Sequence, residues 1–177
     1  PEPRPGIFVD ADLRLAPFGL ADDLPAWVDQ HADALGWPGD LVARLREVAD
    51  RAQRRLDTVD RCCLVHSDLN PKNVLVDPEA LTVTGLVDWE FAHVGHPFTD
   101  LGNLLRFDRR PPFVAAVLSA YAERRGVPPD DALDLARAAD LWALVDLAAR
   151  AGDNPVATAA HGLLRAIATS ADLHAVG

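Results

Sequence analysis

His66-Ser67-Asp68-Leu69-Asn70-Pro71-Lys72-Asn73 is the stretch on which the reading of this chain turns, together with Gly85-Leu86-Val87-Asp88-Trp89-Glu90 shortly after it. The first run lies between two short apolar, β-branched segments, residues 62–65 and 74–76, and the second closes a third, residues 81–87. Segments this short, separated by polar breaks such as Asp77-Pro78-Glu79, predict strands, the last two joined as a hairpin. Each strand end then delivers an oxygen ligand towards what can be one spot: Asp68 and Asn73 from the first loop, Asp88 from the next. Carboxylate and amide oxygens are hard donors suited to Mg²⁺, which keeps several waters and shares phosphate oxygens. Asp68 and Asn73 are five apart, so one loop can aim the first at an acceptor and the second at a metal.

Outward from this centre the apolar period lengthens to that of helices. Upstream, residues 22–35 allow a short helix. After Pro38-Gly39-Asp40, Leu41, Leu45, Val48, Ala52 and Leu56 fall on one face of a stronger one, with Arg44, Glu47, Arg51 and Arg54 opposite. Downstream, Thr99 or Asp100 is placed to cap a helix running through Arg106 and stopped by Pro111-Pro112. Phe113, Val114, Val117, Leu118 and Tyr121 stripe the next, which ends near Gly126. Two more are expected, over residues 130–151 and from Asn154-Pro155. Residues 1–20 carry Pro1, Pro3, Pro5, Gly6, Pro17 and Gly19 and read as an extended or loop segment. The expected fold class is α+β, predominantly α-helical, with a small β-hairpin carrying the polar loops.

Composition narrows the function classes. With 177 residues, 49% of them hydrophobic, the chain is expected to form one domain with a real core. Acidic residues outnumber basic ones by 27 to 17, a formal charge of −10. A nucleic-acid groove needs a basic stripe to replace counterions, so that partner is not expected. No apolar run approaches the roughly 20 residues that span a bilayer, and no charged-then-apolar leader opens the chain. The two cysteines, Cys62 and Cys63, are adjacent; neighbours seldom meet disulfide geometry, which suits a reducing, cytoplasmic setting.

The spacing His66-x-Asp68-x-x-x-x-Asn73, followed by a hairpin and an apolar strand ending in Asp88, resembles the kinase signature set. Protein kinases read Asp-Phe-Gly at the last motif, whereas Asp88-Trp89-Glu90 is similar to the aminoglycoside phosphotransferase and choline-kinase-like group of small-molecule kinases. The stretch from Gly95-His96-Pro97 through Asp100-Leu101-Gly102-Asn103-Leu104 is similar to that group as well. The resemblance is dense over residues 62–106 and implies an ATP- and Mg²⁺-dependent transfer of the γ-phosphoryl group to a small-molecule hydroxyl. Asp68 would then accept or orient the hydroxyl proton, Asn73 would hold Mg²⁺, and Asp88 would bridge Mg²⁺ and the nucleotide phosphates. His66 and Asp100 would brace the catalytic loop, while Lys72 and Glu90 are lesser candidates for contacts to phosphate and to a cationic substrate group.

The same resemblance implies an N-terminal lobe with a phosphate-covering loop, a strand Lys and a helix Glu. Residues 1–60 hold only isolated glycines and no Lys, since Lys72 is the sole lysine. The expectation is therefore a kinase-like C-terminal lobe over residues 21–177, with 1–20 as an interlobe linker remnant. Such a lobe would be inactive alone and completed in cis or in trans. Two other classes compete. One is a non-catalytic, pseudokinase-like binding module, which an exposed apolar patch on the loop-bearing face would support. The other is a metal-dependent hydrolase using His93, His96 and Asp100 with the His66/Asp68 pair, although Gly95 and Pro97 break any helix that would align those histidines. Asp108, Glu123, Asp140 and Asp146 are the acids that could meet a cationic acceptor.

Overall fold

The computed structural model describes residues 5–17 and 21–176. Among these residues six α-helices follow the expected order: α1 (Leu24–Leu35), α2 (Gly39–Leu56), α3 (Thr99–Leu105), α4 (Pro111–Arg125), α5 (Pro129–Ala149) and α6 (Pro155–Ser170). Local chemistry sets their ends. The Asp23 carboxylate accepts from the Ala26 amide at 2.8 Å and starts α1, and Asn154 does the same for α6 through Ala157 at 2.9 Å. Gly36 and Gly126 stop α1 and α4 at φ of 64° and 68°, where an L-side chain would be strained. One expected cap is different: Phe98 occupies the start of α3, and the Asp100 carboxylate is used elsewhere.

The hub is α5, which packs against α1, α2, α3, α4 and α6. Its middle turns are buried all round, with Ala136, Ala138, Ala139, Leu141, Leu144 and Val145 in the core, and the alanines leave room for neighbouring backbones on several sides. Two charges are sealed into this helix. Asp140, 2% exposed, accepts from Arg106 on both carboxylate oxygens, the Nη2–Oδ1 contact being 2.7 Å. The acid grouped above with acceptor-binding candidates is thus the buried partner of an arginine and is not open to a substrate. No helix among the described residues is long and apolar enough to cross a membrane.

Among the described residues there are also six short strands: β1 (Gly6–Phe8), β2 (Leu15–Ala16), β3 (Cys63–Val65), β4 (Val74–Asp77), β5 (Thr82–Leu86) and β6 (His93–Gly95). The expected hairpin is β4–β5, antiparallel with an irregularity between Leu75 and Val76. A second, four-stranded antiparallel sheet in the order β2-β1-β6-β3 corrects the expectation from sequence, which has an unpaired strand over residues 62–65 and an extended or loop segment over 1–20. Residues 1–4 and 18–20 of that segment lie outside the described residues, but 6–8 and 15–16 pair as strands. Asp10 organises their turn: its Oδ1 accepts from the Asp12 and Arg14 amides, and Oδ2 pairs with the Arg14 guanidinium. Cys62 and Cys63 are free thiols whose ionisation burial pushes upward.

Candidate active site

The catalytic-loop candidate leaves β3 at Val65 and is pinned before it turns. Asp100, in the first turn of α3, accepts from the His66 amide at 2.9 Å through Oδ2 and from the Ser67 amide at 2.8 Å through Oδ1. Ser67 sits at φ 65°, a left-handed conformation that costs a non-glycine residue about 1–2 kcal/mol. The two charge-assisted bonds hold it there. With its amide turned so that both ends are satisfied, Asn103 donates to the Ser67 carbonyl at 2.9 Å and accepts from Arg106 at 2.7 Å. The loop is thereby tied to the buried Arg106–Asp140 pair.

Asp68 follows, with its carboxylate held by two amides. Asn70 Nδ2 donates to Oδ1 at 2.8 Å and Asn73 Nδ2 donates to Oδ2 at 3.0 Å; both also reach the Asp68 carbonyl. Lys72 Nζ stands 3.4 Å from Oδ2 on a largely exposed side chain. Asn70-Pro71 starts a 3₁₀ turn over Pro71–Asn73, with the Asn70 side chain accepting from the Lys72 amide at 3.1 Å. That turn swings Asn73 back under Asp68 and buries it. Because the Asn73 side-chain nitrogen is spent on Asp68, the side-chain oxygen Oδ1 is left for another partner.

The second loop is registered to the first by His66. Its Nδ1 accepts from the Asp68 amide at 3.3 Å, so Nε2 carries the hydrogen and donates to the Val87 carbonyl at 2.8 Å. The Val87 amide in turn donates to the Asn73 carbonyl at 3.0 Å, and the Trp89 ring lies 4.7 Å from the His66 ring, centre to centre. Asp88 stands between these two anchored neighbours at φ 68°, a conformation that Asp tolerates better than most residues. It is exposed, and among the described residues its carboxylate makes no hydrogen bond or ion pair. Glu90 is exposed in the turn that follows. The fold therefore gathers Asp68, Asn73 and Asp88 on adjoining loops, with Lys72 against Asp68 and Glu90 beyond Asp88.

Asn70, Ser67 and Asn103 had no assigned part in the sequence reading. The Asn-Pro pair was a legible turn signal for the first; nothing local marks the other two. The histidines of the hydrolase alternative do not assemble. Burial holds both His93 and His96 below the ordinary imidazole range, and no group of three or more His, Cys, Asp and Glu side chains among the described residues could hold a metal ion.

Asp68 is thus braced by two amides, and a second carboxylate, Asp88, is presented on the adjoining loop of a mostly helical scaffold. Residues 10–139 match the phosphotransferase enzyme family, and the chain belongs to it. It is similar to aminoglycoside 3'-phosphotransferase of Streptomyces fradiae, 32% identical over 122 residues, which is 67% of this chain and 43% of that protein. The enzyme of the same name from Streptomyces ribosidificus is 33% identical over 101 residues, 55% of this chain and 36% of the relative. Acyl-CoA dehydrogenase family member 11 of Mus musculus is 31% identical over 86 residues, 38% of this chain and 11% of the mouse protein. The chain thus spans less than half the length of these curated relatives. No solved structure matches it.

Proposed function

We infer that this chain is the loop-bearing, kinase-like C-terminal lobe of an ATP- and Mg²⁺-dependent phosphotransferase that moves the γ-phosphoryl group to a hydroxyl of a small molecule. The observation that carries the reading is the Asp68 carboxylate fixed by Asn70 and Asn73 next to an uncommitted Asp88. The donor set fits the implied metal, since an amide oxygen at Asn73 and a carboxylate at Asp88 are hard oxygen ligands. Bound there, Mg²⁺ and ATP would supply charge neutralisation and the transferable group.

The chain's own residues supply position. Asp68, with one amide on each oxygen, keeps lone pairs free to accept the proton of an acceptor hydroxyl, and its two amide donors prevent rotation away from that hydroxyl. His66 keeps the two loops in register, so that Asp68 and Asp88 act at a fixed separation. Positioning matters most here because the transferred phosphoryl group asks for little covalent help.

The loop-bearing face also supports a lobe completed by further protein, in cis or in trans. Leu64, Leu75, Val76, Val83, Trp89 and Phe91 are exposed on the strands and the loop after β5, apolar side chains that a covering partner would take out of water. On this reading the isolated lobe turns over little substrate, for want of water exclusion and of the second half of the nucleotide site. The same patch favours the second reading, a non-catalytic binding module.

Mn²⁺ in place of Mg²⁺ separates them by its paramagnetic broadening of amide resonances. Mn²⁺-ATP is expected to broaden Asn73 and Asp88 first, to lose this effect in Asp88→Asn, and to keep it in Asp68→Asn. Broadening centred elsewhere, or unchanged in Asp88→Asn, overturns the assignment. Its absence at millimolar nucleotide removes the nucleotide role and leaves the binding module.

A further inference from the structure

At the far end of α3 from the catalytic loop, a cleft of about 430 Å³ opens between α4, the start of α5 and the segment after α6. It shares no lining residue with the loops described above. Its walls are apolar, from Val114, Leu118, Pro129 and Leu133, and two arginines, Arg109 and Arg137, line it as well. A cleft of this size and lining matches small-molecule sites, in which a few polar groups fix orientation within an apolar pocket.

The arginines are unusual in how little they are neutralised. Arg137 is 4% exposed; its Nη1 donates to the Leu105 carbonyl, and its Nε is buried with no hydrogen-bond partner among the described residues. Arg109 donates to the carbonyls of Arg106, Leu173 and Ala175. Among the described residues neither guanidinium has a carboxylate within ion-pair distance; Asp140, paired with Arg106, attracts both from farther away and Asp172 attracts Arg109, but burial outweighs them. Burial and the charge of Arg137 push Arg109 down to about 10. Buried guanidinium groups are ordinarily paired, so an anion in the cleft would face two largely desolvated positive charges.

We propose that this cleft is a second binding site, for a small organic carboxylate with an apolar tail: the carboxylate engages Arg137 and Arg109, and the tail lies along Val114, Leu118 and Leu133. Asp130 also lines the cleft and repels a dianion twice as strongly as a monoanion, which favours a ligand of single charge. A guanidinium edge matches a carboxylate in shape as well as charge. The site is independent of nucleotide binding, and its test does not read activity.

The probe is octanoate, titrated into the whole chain while amide resonances of α4 and α5 are followed by NMR. Octanol and octylammonium share its tail and serve as comparisons. Octanoate is expected to bind at least about tenfold more tightly than either and to shift Ala115, Ser119 and Leu133. Ala115→Trp, at an exposed rim position, plugs the cleft without touching a buried group and is expected to remove these shifts. Arg137→Met is expected to abolish the preference for octanoate over octanol. Equal binding of octanol, binding that survives Ala115→Trp, or no shift at millimolar octanoate each overturns the proposal. The rim variant keeps the test decisive should Arg137→Met fail to fold.

Discussion

Around α5 a charged pair is sealed inside a wall of alanine and leucine, whereas around Asp68 the polar groups lie near the surface and are held by one another. In the first region burial does the organising: Asp140 and Arg106 survive there only because each satisfies the other. In the second, His66 and Asn73 are buried, but Asp68 is half-buried and Asp88 is exposed. Order comes from a chain of hydrogen bonds running from Asp100 to the loop amides, from Asn70 and Asn73 to Asp68, and from His66 to Val87. The comparison teaches that the two halves should fail differently. The helical half should lose global stability when a partner is removed, and the loop half should lose local order first.

The largest expected effect tests the helical side. Asp140→Ala strands the Arg106 guanidinium in the core and is expected to cost roughly 3–5 kcal/mol in urea unfolding. A loss below about 1 kcal/mol would show that the pair is solvated and that the contrast is false. Asp100→Ala sits between the regions. It removes the acceptor for the His66 and Ser67 amides, and bonds to a charged group are worth about 1.5–3 kcal/mol. The expected signature is faster hydrogen exchange at His66 and Ser67 with α5 amides little changed. Uniform acceleration across the chain would mean that the loop and the helices unfold as one unit.

The smallest effect is one of pH. His93 and His96 are both held below the ordinary value of 6.5, chiefly by burial. As pH falls, the unfolded chain therefore takes up protons before the folded one does. Stability should be complete above pH 6.5 and decline as pH drops from there towards the lower folded values. Melting temperatures measured from pH 8 to pH 5.5 should show the decline, and His96→Gln should make it shallower. An unchanged slope in both His93→Gln and His96→Gln would assign the acid sensitivity to other groups.

Much of the helical half was legible because its elements are long. Leu45, Val48, Ala52 and Leu56 repeat at helical spacing over about three turns of α2, and Asn154-Pro155 announces α6 in two residues. The four-stranded sheet was not legible, for the opposite reason: β1, β2 and β6 are three, two and three residues long. Alternation needs about four residues to register as a pattern. At the site, Asp68, Asn73 and Asp88 stood out as oxygen donors at strand ends. Their geometry depends on Ser67, Asn70 and Asn103, whose importance arises from contacts across 36 residues of chain in the case of Ser67 and Asn103. Asp140 misled because a sequence shows a charge but not the arginine packed onto it.

Gly102 gives the molecule its reference surface. A methyl group added there would stand 2.4 Å from the Ala136 carbonyl oxygen and 3.0 Å from the Asp140 Cβ, so α3 and α5 meet backbone to backbone with no side chain between them. Side-chain layers are compliant, since rotamers can yield by tenths of an ångström, but two main chains in contact cannot. Asp100, two residues before this contact, therefore takes its position from the most enclosed helix of the fold with almost no play. The His66 and Ser67 amides that it grips inherit that tolerance, much as a workpiece is located against a hard stop.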